Sequence, residues 1–140
     1  SLPTRRSRVR IPLPAPIKMS ELANKKCVAC DGNIPPFDTT EIHKYLKKVD
    51  GWDVKSNKDK NFYLIKEFVF KNFKESQNFV NKIGDVAEKE NHHPDIFFGW
   101  GYCKVKIFTH AIQGLVESDF ILAAKIDKIL SMIEVSNTSK

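Results

Sequence analysis

Long apolar runs are missing from this sequence: none approaches the ~20 residues that a membrane-spanning helix needs, so no such helix is expected. Cysteine is scarce, with three in 140 residues. That is too few for a disulfide scaffold and makes a reducing compartment the expectation. There is no internal repeat and no low-complexity block. Nothing resembles a nucleophile elbow, a phosphate-binding loop or a dinucleotide fingerprint, so those three chemistries have no support here. Residues 1–18 also lack any acidic residue.

That last absence explains the net charge of +6. Arg5, Arg6, Arg8, Arg10 and Lys18 all lie in the first 18 residues, and without them 18 basic residues stand against 17 acidic ones. A near-neutral body does not suit a surface that tracks phosphates, so no direct nucleic-acid partner is expected. Pro3, Pro12, Pro14 and Pro16 oppose a stable helix in this stretch. Residues 1–18 therefore read as an added leader or disordered extension. The alternative is a transit peptide, against which the prolines argue.

What is present is ordinary for one soluble domain: 41% hydrophobic and 29% charged residues, in a chain long enough to build a core. Residues 19–37 read as an irregular arm, with a turn at Asp31-Gly32 and a stiff Pro35-Pro36 step. Residues 38–135 read as the folded body and 136–140 as a tail. Asp38 with Glu41, then Ile42, Tyr45, Leu46 and Val49, predict a capped helix over 39–49. Trp52–Val54 and Phe62–Phe70 read as strands, the second with one apolar face interrupted by Lys66. Asn72 and Glu75 open a helix over about 73–90, striped by Phe79, Val80, Ile83, Val86 and Ala87. Pro94 ends it near His92. Asp95–Phe98 and Tyr102–Thr109 flank a Gly99/Gly101 turn, and Ser118 can cap a last helix carrying Ile121 to Ile133. The order α-β-β-α-β-β-α predicts an α+β fold, a four-stranded antiparallel sheet with helices packed on one face. The open face and exposed strand edges are natural places to oligomerise.

Three of the four histidines gather in "NHHPDIFFGWGYCKVKIFTH". A metal centre fits them poorly, because adjacent His92 and His93 diverge on an extended chain. Cys27-Val28-Ala29-Cys30 is knuckle-like but has no second pair; a composite zinc site with a histidine is the sharp reading and a tight turn the bland one. His43, alone on a helix, reads as a partly buried polar residue. The cluster differs: an antiparallel hairpin returns His110 toward His92-His93 at one sheet edge, with Glu88 one turn earlier and Asp119 at the start of the last helix. Imidazoles tuned by carboxylates suit a reaction that donates and accepts a proton near neutral pH. The residues by themselves reach a metal-free histidine acid–base site.

The string Glu88-x-x-x-His92-His93-Pro94, then Thr109-His110, Gly114-Leu115 and Asp119, with Gly51-Trp52 upstream, resembles the pterin-4a-carbinolamine dehydratases over about residues 38–135. "CVACDGNIPPF" is similar to the Cys-x-x-Cys arm of bacterial and plant members, absent from the animal form. The resemblance implies dehydration of 4a-hydroxytetrahydropterins to quinonoid dihydropterin and water, in tetrahydropterin recycling, with no metal or redox cofactor. By position, His92 and His110 would be the acids near the leaving hydroxyl. His93 would bind the pterin and take the N5 proton. Glu88 and Asp119 would support them, and Trp52 or Phe97 would line the ring pocket. The stretch Ile96–Tyr102 is more aromatic and glycine-rich than the animal pattern.

The resemblance further implies a homodimer or homotetramer, a cytoplasmic location and no membrane partner. The competing reading is a non-enzymatic interaction module on the same fold, a transcriptional coactivator or dimerisation cofactor with a protein partner. Retention of all three histidines and Asp119 favours the enzyme.

Overall fold

In a computed structural model, residues 17–27 and 34–138 are described. They form helices α1 (Ile17–Asn24) and α2 (Thr39–Leu46), strands β1 (Asp53–Ser56) and β2 (Phe62–Val69), and helix α3 (Phe73–Glu90). Strands β3 (Asp95–Gly99) and β4 (Tyr102–Ile107) and helix α4 (Glu117–Thr138) follow. The two expected hairpins join through β2 and β4, giving one antiparallel sheet in the order β1-β2-β4-β3. This is the α+β architecture predicted above, with one helix more. The first 16 residues, Cys30 and the Asp31-Gly32 turn lie outside the described residues.

Local chemistry accounts for the element boundaries. Asp38 accepts the Glu41 amide at 2.9 Å to start α2, and Asn72 accepts the Glu75 amide at 2.9 Å to start α3. Between β3 and β4 the chain reverses through Trp100 and Gly101; Gly101 has φ +81°, a conformation that costs a side-chain-bearing residue more than glycine. Strand β4 alternates as its sequence does, with Cys103, Val105 and Ile107 buried. They meet Leu64 and Phe68 of β2, Phe79 and Ile83 of α3, and the Phe120–Ile126 stretch of α4. A fully buried side chain of this size contributes about 2 kcal/mol.

Three expectations need correcting. Residues 17–24, expected to be the end of the leader and the start of an irregular arm, form α1: Pro3, Pro12, Pro14 and Pro16 all precede it, and Leu22 and Ala23 are buried in the core. Lys125 Nζ also donates to the Ala23 carbonyl at 2.8 Å, satisfying the end of that helix. Helix α4 begins at Glu117, so Ser118 lies in its first turn. The Val116 amide is instead taken by Asp119 Oδ2, at 2.8 Å. At its other end α4 runs to Thr138, through residues expected to be a tail. Lys66, by contrast, interrupts the apolar face of β2 as expected. It lies on the helix side, donating to Asp127 Oδ1 and to the Asp50 carbonyl, both at 2.8 Å.

Candidate active site

Helix α3 ends on Asn91, which adopts a left-handed conformation (φ 52°, ψ 42°) and returns its N–H to the carbonyls of Ala87 and Glu88. The His92 amide then bonds the Ala87 carbonyl at 3.1 Å. This double closure, with asparagine where glycine is commonest, stops the helix sharply. Pro94 follows, and the chain is extended as β3 from Asp95. The turn leaves Glu88 on the last helical turn beside His93, whose Nε2 pairs with Glu88 Oε2. Both side chains are largely exposed, so the pair adds little stability.

His92 goes the other way, inward. Its Nε2 meets Asp119 Oδ1 at 2.8 Å, with the imidazole 13% exposed and the carboxylate 0%. The second oxygen, Oδ2, accepts from Thr109 Oγ1 at 2.9 Å as well as from the Val116 amide. A carboxylate only accepts, so His92 Nε2 carries the proton and Nδ1 is left for other chemistry. Asp119 thereby ties together the α3–β3 junction, the end of β4 and the first turn of α4.

Beyond β4 the residues Thr109–Gly114 form a closed loop. The Thr109 amide donates to the Gly114 carbonyl at 2.8 Å, and the Gly114 amide returns to the Thr109 carbonyl at 3.4 Å. His110 sits on its exposed shoulder; its carbonyl accepts from Gln113 Nε2 at 3.0 Å, and its ring lies 4.3 Å from that of Phe108. A chain of contacts thus runs His92–Asp119–Thr109, with His93 and His110 as sequence neighbours at its two ends. Sequence reasoning placed these residues together but gave Thr109 no role. The signal was available: Thr109 continues the buried alternation of Cys103, Val105 and Ile107, and a hydroxyl there needs a partner.

The two expected ring-pocket residues differ in their surroundings. Trp52 is 4% exposed, donates its indole N–H to Asp127 Oδ2 at 3.0 Å, and sits before β1, the strand at the sheet edge opposite β3. It belongs to the core, not beside the histidines. Phe97 lies on the open sheet face in register with Lys104 and is 55% exposed. His43 is exposed on α2.

Cys27 packs at the margin of this region. Its amide donates to Glu90 Oε1 at 2.9 Å and its thiol to the Ser118 carbonyl at 3.5 Å. Burial, helped by the Glu90 carboxylate, pushes the thiol up to about 12. A thiol so disposed is a poor metal ligand. Among the described residues no group of three or more His, Cys, Asp and Glu side chains could hold a metal ion.

The family model for pterin 4 alpha carbinolamine dehydratase matches residues 35–129, a span that contains Glu88, His92, His93, His110 and Asp119. The chain belongs to this family. It is 47% identical over 111 residues to a protein of Rubrobacter xylanophilus named as a pterin-4-alpha-carbinolamine dehydratase, covering 79% of this chain and 100% of the relative. A relative of the same name from Alkaliphilus metalliredigens is 47% identical over 111 residues, covering 79% of this chain and 96% of that one. Among solved structures, a transcriptional coactivator/pterin dehydratase from Brucella melitensis superposes with a TM-score of 0.60 at 28% identity, over 67% of this chain and 97% of that chain. This family member is accordingly a dehydratase, a carbon–oxygen lyase. No helix among its described residues is long and apolar enough to cross a membrane.

Proposed function

We propose that this dehydratase acts on 4a-hydroxytetrahydropterins by histidine acid–base catalysis. Hydroxide leaves poorly, so a proton must reach the 4a-oxygen as the C4a–O bond breaks. The N5 electron pair forms the new double bond to C4a, the N5 proton departs, and the products are water and quinonoid dihydropterin. The observation that carries the reading is the His92–Asp119–Thr109 chain, set between His93 and His110. His92, held through Nε2, donates from Nδ1 in its imidazolium form, whose charge the Asp119 carboxylate faces, and His110 is the second acid. His93 binds the pterin and takes the N5 proton, with Glu88 orienting its ring. Phe97, on the open face, is offered as a flank for the pterin.

The test is turnover of hydroxylase-generated 4a-hydroxytetrahydropterin, followed by ultraviolet absorbance. The wild type should accelerate the step over its spontaneous rate, and His93→Ala and His110→Ala, still folded, should each lower turnover about 10²-fold. A folded wild type with no acceleration would sink the enzyme reading and favour an interaction module.

We further place the reaction in cytoplasmic tetrahydropterin recycling, on the family resemblance. A homodimer or homotetramer is supported by the open sheet face, where Val69 (79% exposed), Tyr102 (40%) and Phe97 (55%) leave apolar surface uncovered. Light scattering that returned a monomer at micromolar concentration would remove that assignment.

A further inference from the structure

The segment just before α2 runs along the loop that carries His110. The Phe37 amide donates to the Leu115 carbonyl at 2.7 Å, and the Phe37 ring packs against Tyr45 and Phe120, with centroids 5.0 and 6.2 Å away. Pro36 presses on Gly114: a Cβ added there would lie 2.9 Å from Pro36 Cβ. Gly114 is not among the positive-φ glycines, so its backbone does not call for glycine; the approach of Pro36 does. Gly114 in turn closes the Thr109–Gly114 loop, and Leu115 leads directly into the turn where Asp119 takes the Val116 amide.

Other tethers hold the preceding segment on the same side of the molecule. Lys25 Nζ pairs with Glu117 Oε2 at 3.0 Å, and the Tyr45 hydroxyl donates to the same oxygen at 3.1 Å. The Lys25 hydrogen bond is the main reason the Glu117 carboxyl lies below its ordinary value of 4.5. Cys27 bonds Glu90 at the end of α3 and Ser118 at the start of α4. These two helix ends flank the histidines.

The geometry points to Pro36 and Phe37 as positioning residues: they wedge and tie the 109–116 loop so that His110 and Asp119 keep a fixed relation. The kinetic half of this inference rests on the dehydratase mechanism above; the geometric half does not. Neither residue touches a reacting atom, and their effect passes through Gly114 and Leu115.

The experiment compares the wild type with Gly114→Ala, Pro36→Gly and the double variant. Gly114→Ala adds a methyl to the contact, Pro36→Gly removes the opposing Cβ, and the double moves that volume across. The first readout is the imidazole C–H resonances of His110, which feel the ring current of Phe108. Each single variant should shift them while His43 stays in place, and the double should bring them back toward wild type. The second readout is turnover: each single should lower kcat about tenfold with KM within about twofold, and the double should recover to within about threefold. In a His110→Ala background Gly114→Ala should change kcat no further.

His110 resonances unmoved in both single variants overturn the proposal. So does a loss of kcat that is equal in all three variants and follows their melting temperatures, since that marks a merely structural contact. If the wild type turns nothing over, the dehydratase mechanism fails, yet the resonances still decide whether Pro36 sets the place of His110.

Discussion

Asp119→Ala lowers turnover about 10³-fold and costs about 3 kcal/mol of stability, the largest combined loss expected of any single substitution in the site. The carboxylate is wholly buried and serves three partners: His92 Nε2, Thr109 Oγ1 and the Val116 amide. Alanine leaves all three without an acceptor, and each buried group left unpaired costs about 1–3 kcal/mol before the site relaxes. Turnover falls because both acids are disturbed, His92 directly and His110 through Thr109. Asp119→Asn separates the two effects. Its amide oxygen can still accept from Val116 and Thr109, so about 1 kcal/mol is lost. Its NH₂ then faces His92, which must accept through Nε2 and carry its proton on Nδ1. The imidazolium that donates from Nδ1 thereby loses its facing negative charge, and turnover should drop about 10²-fold in a protein that melts close to wild type. Thermal melts beside steady-state rates check both variants. Wild-type turnover in Asp119→Asn would remove His92 from the mechanism.

The sheet and three of the four helices were legible in the sequence because local signals agreed there. Asn72 with Glu75 fixes the start of α3, Pro94 bounds its end, and the alternation of Cys103, Val105 and Ile107 marks the buried side of β4. Features set by distant partners were not legible. Helix α1 is eight residues long, too short to persist on propensity alone, and it exists by burying Leu22 and Ala23 in the core. Trp52 reads as a ring-pocket residue until its indole is seen on Asp127, 75 positions away. Among the site residues, His92 meets Asp119 and His93 meets Glu88, while His110 follows Thr109, whose hydroxyl bonds Asp119. The clasp of Pro36 on Gly114 could not be read, because a glycine kept for space looks like any other glycine until its neighbour is known.

Lys66 shows the same limit in energetic form and gives the second large effect. Lys66→Met should destabilise the protein by about 3 kcal/mol, whereas Lys66→Met with Asp127→Leu should cost less than the single change. Asp127 is 7% exposed and the Lys66 side chain 18%, so the pair is largely removed from water. Removing the ammonium leaves a buried carboxylate with the Trp52 indole as its remaining side-chain donor among the described residues. Replacing both partners removes the unpaired charge and leaves one indole N–H to satisfy, about 1–2 kcal/mol. The pH dependence has a definite sign. Burial raises the Asp127 carboxyl above its ordinary 3.8, against the opposing pull of Lys66. A carboxyl raised on folding contributes stability that is fully present below its unfolded value and is lost as pH rises through the folded value. Without Lys66 the folded value climbs further, so this loss moves toward neutrality. The penalty of Lys66→Met relative to wild type should therefore shrink between pH 7 and pH 5, as Asp127 takes up a proton. Urea melts of the wild type, the single and the double variant at both pH values measure it. A single variant no less stable than the double at pH 7 would mean that the ion pair contributes nothing to holding Trp52 and α4 against the sheet.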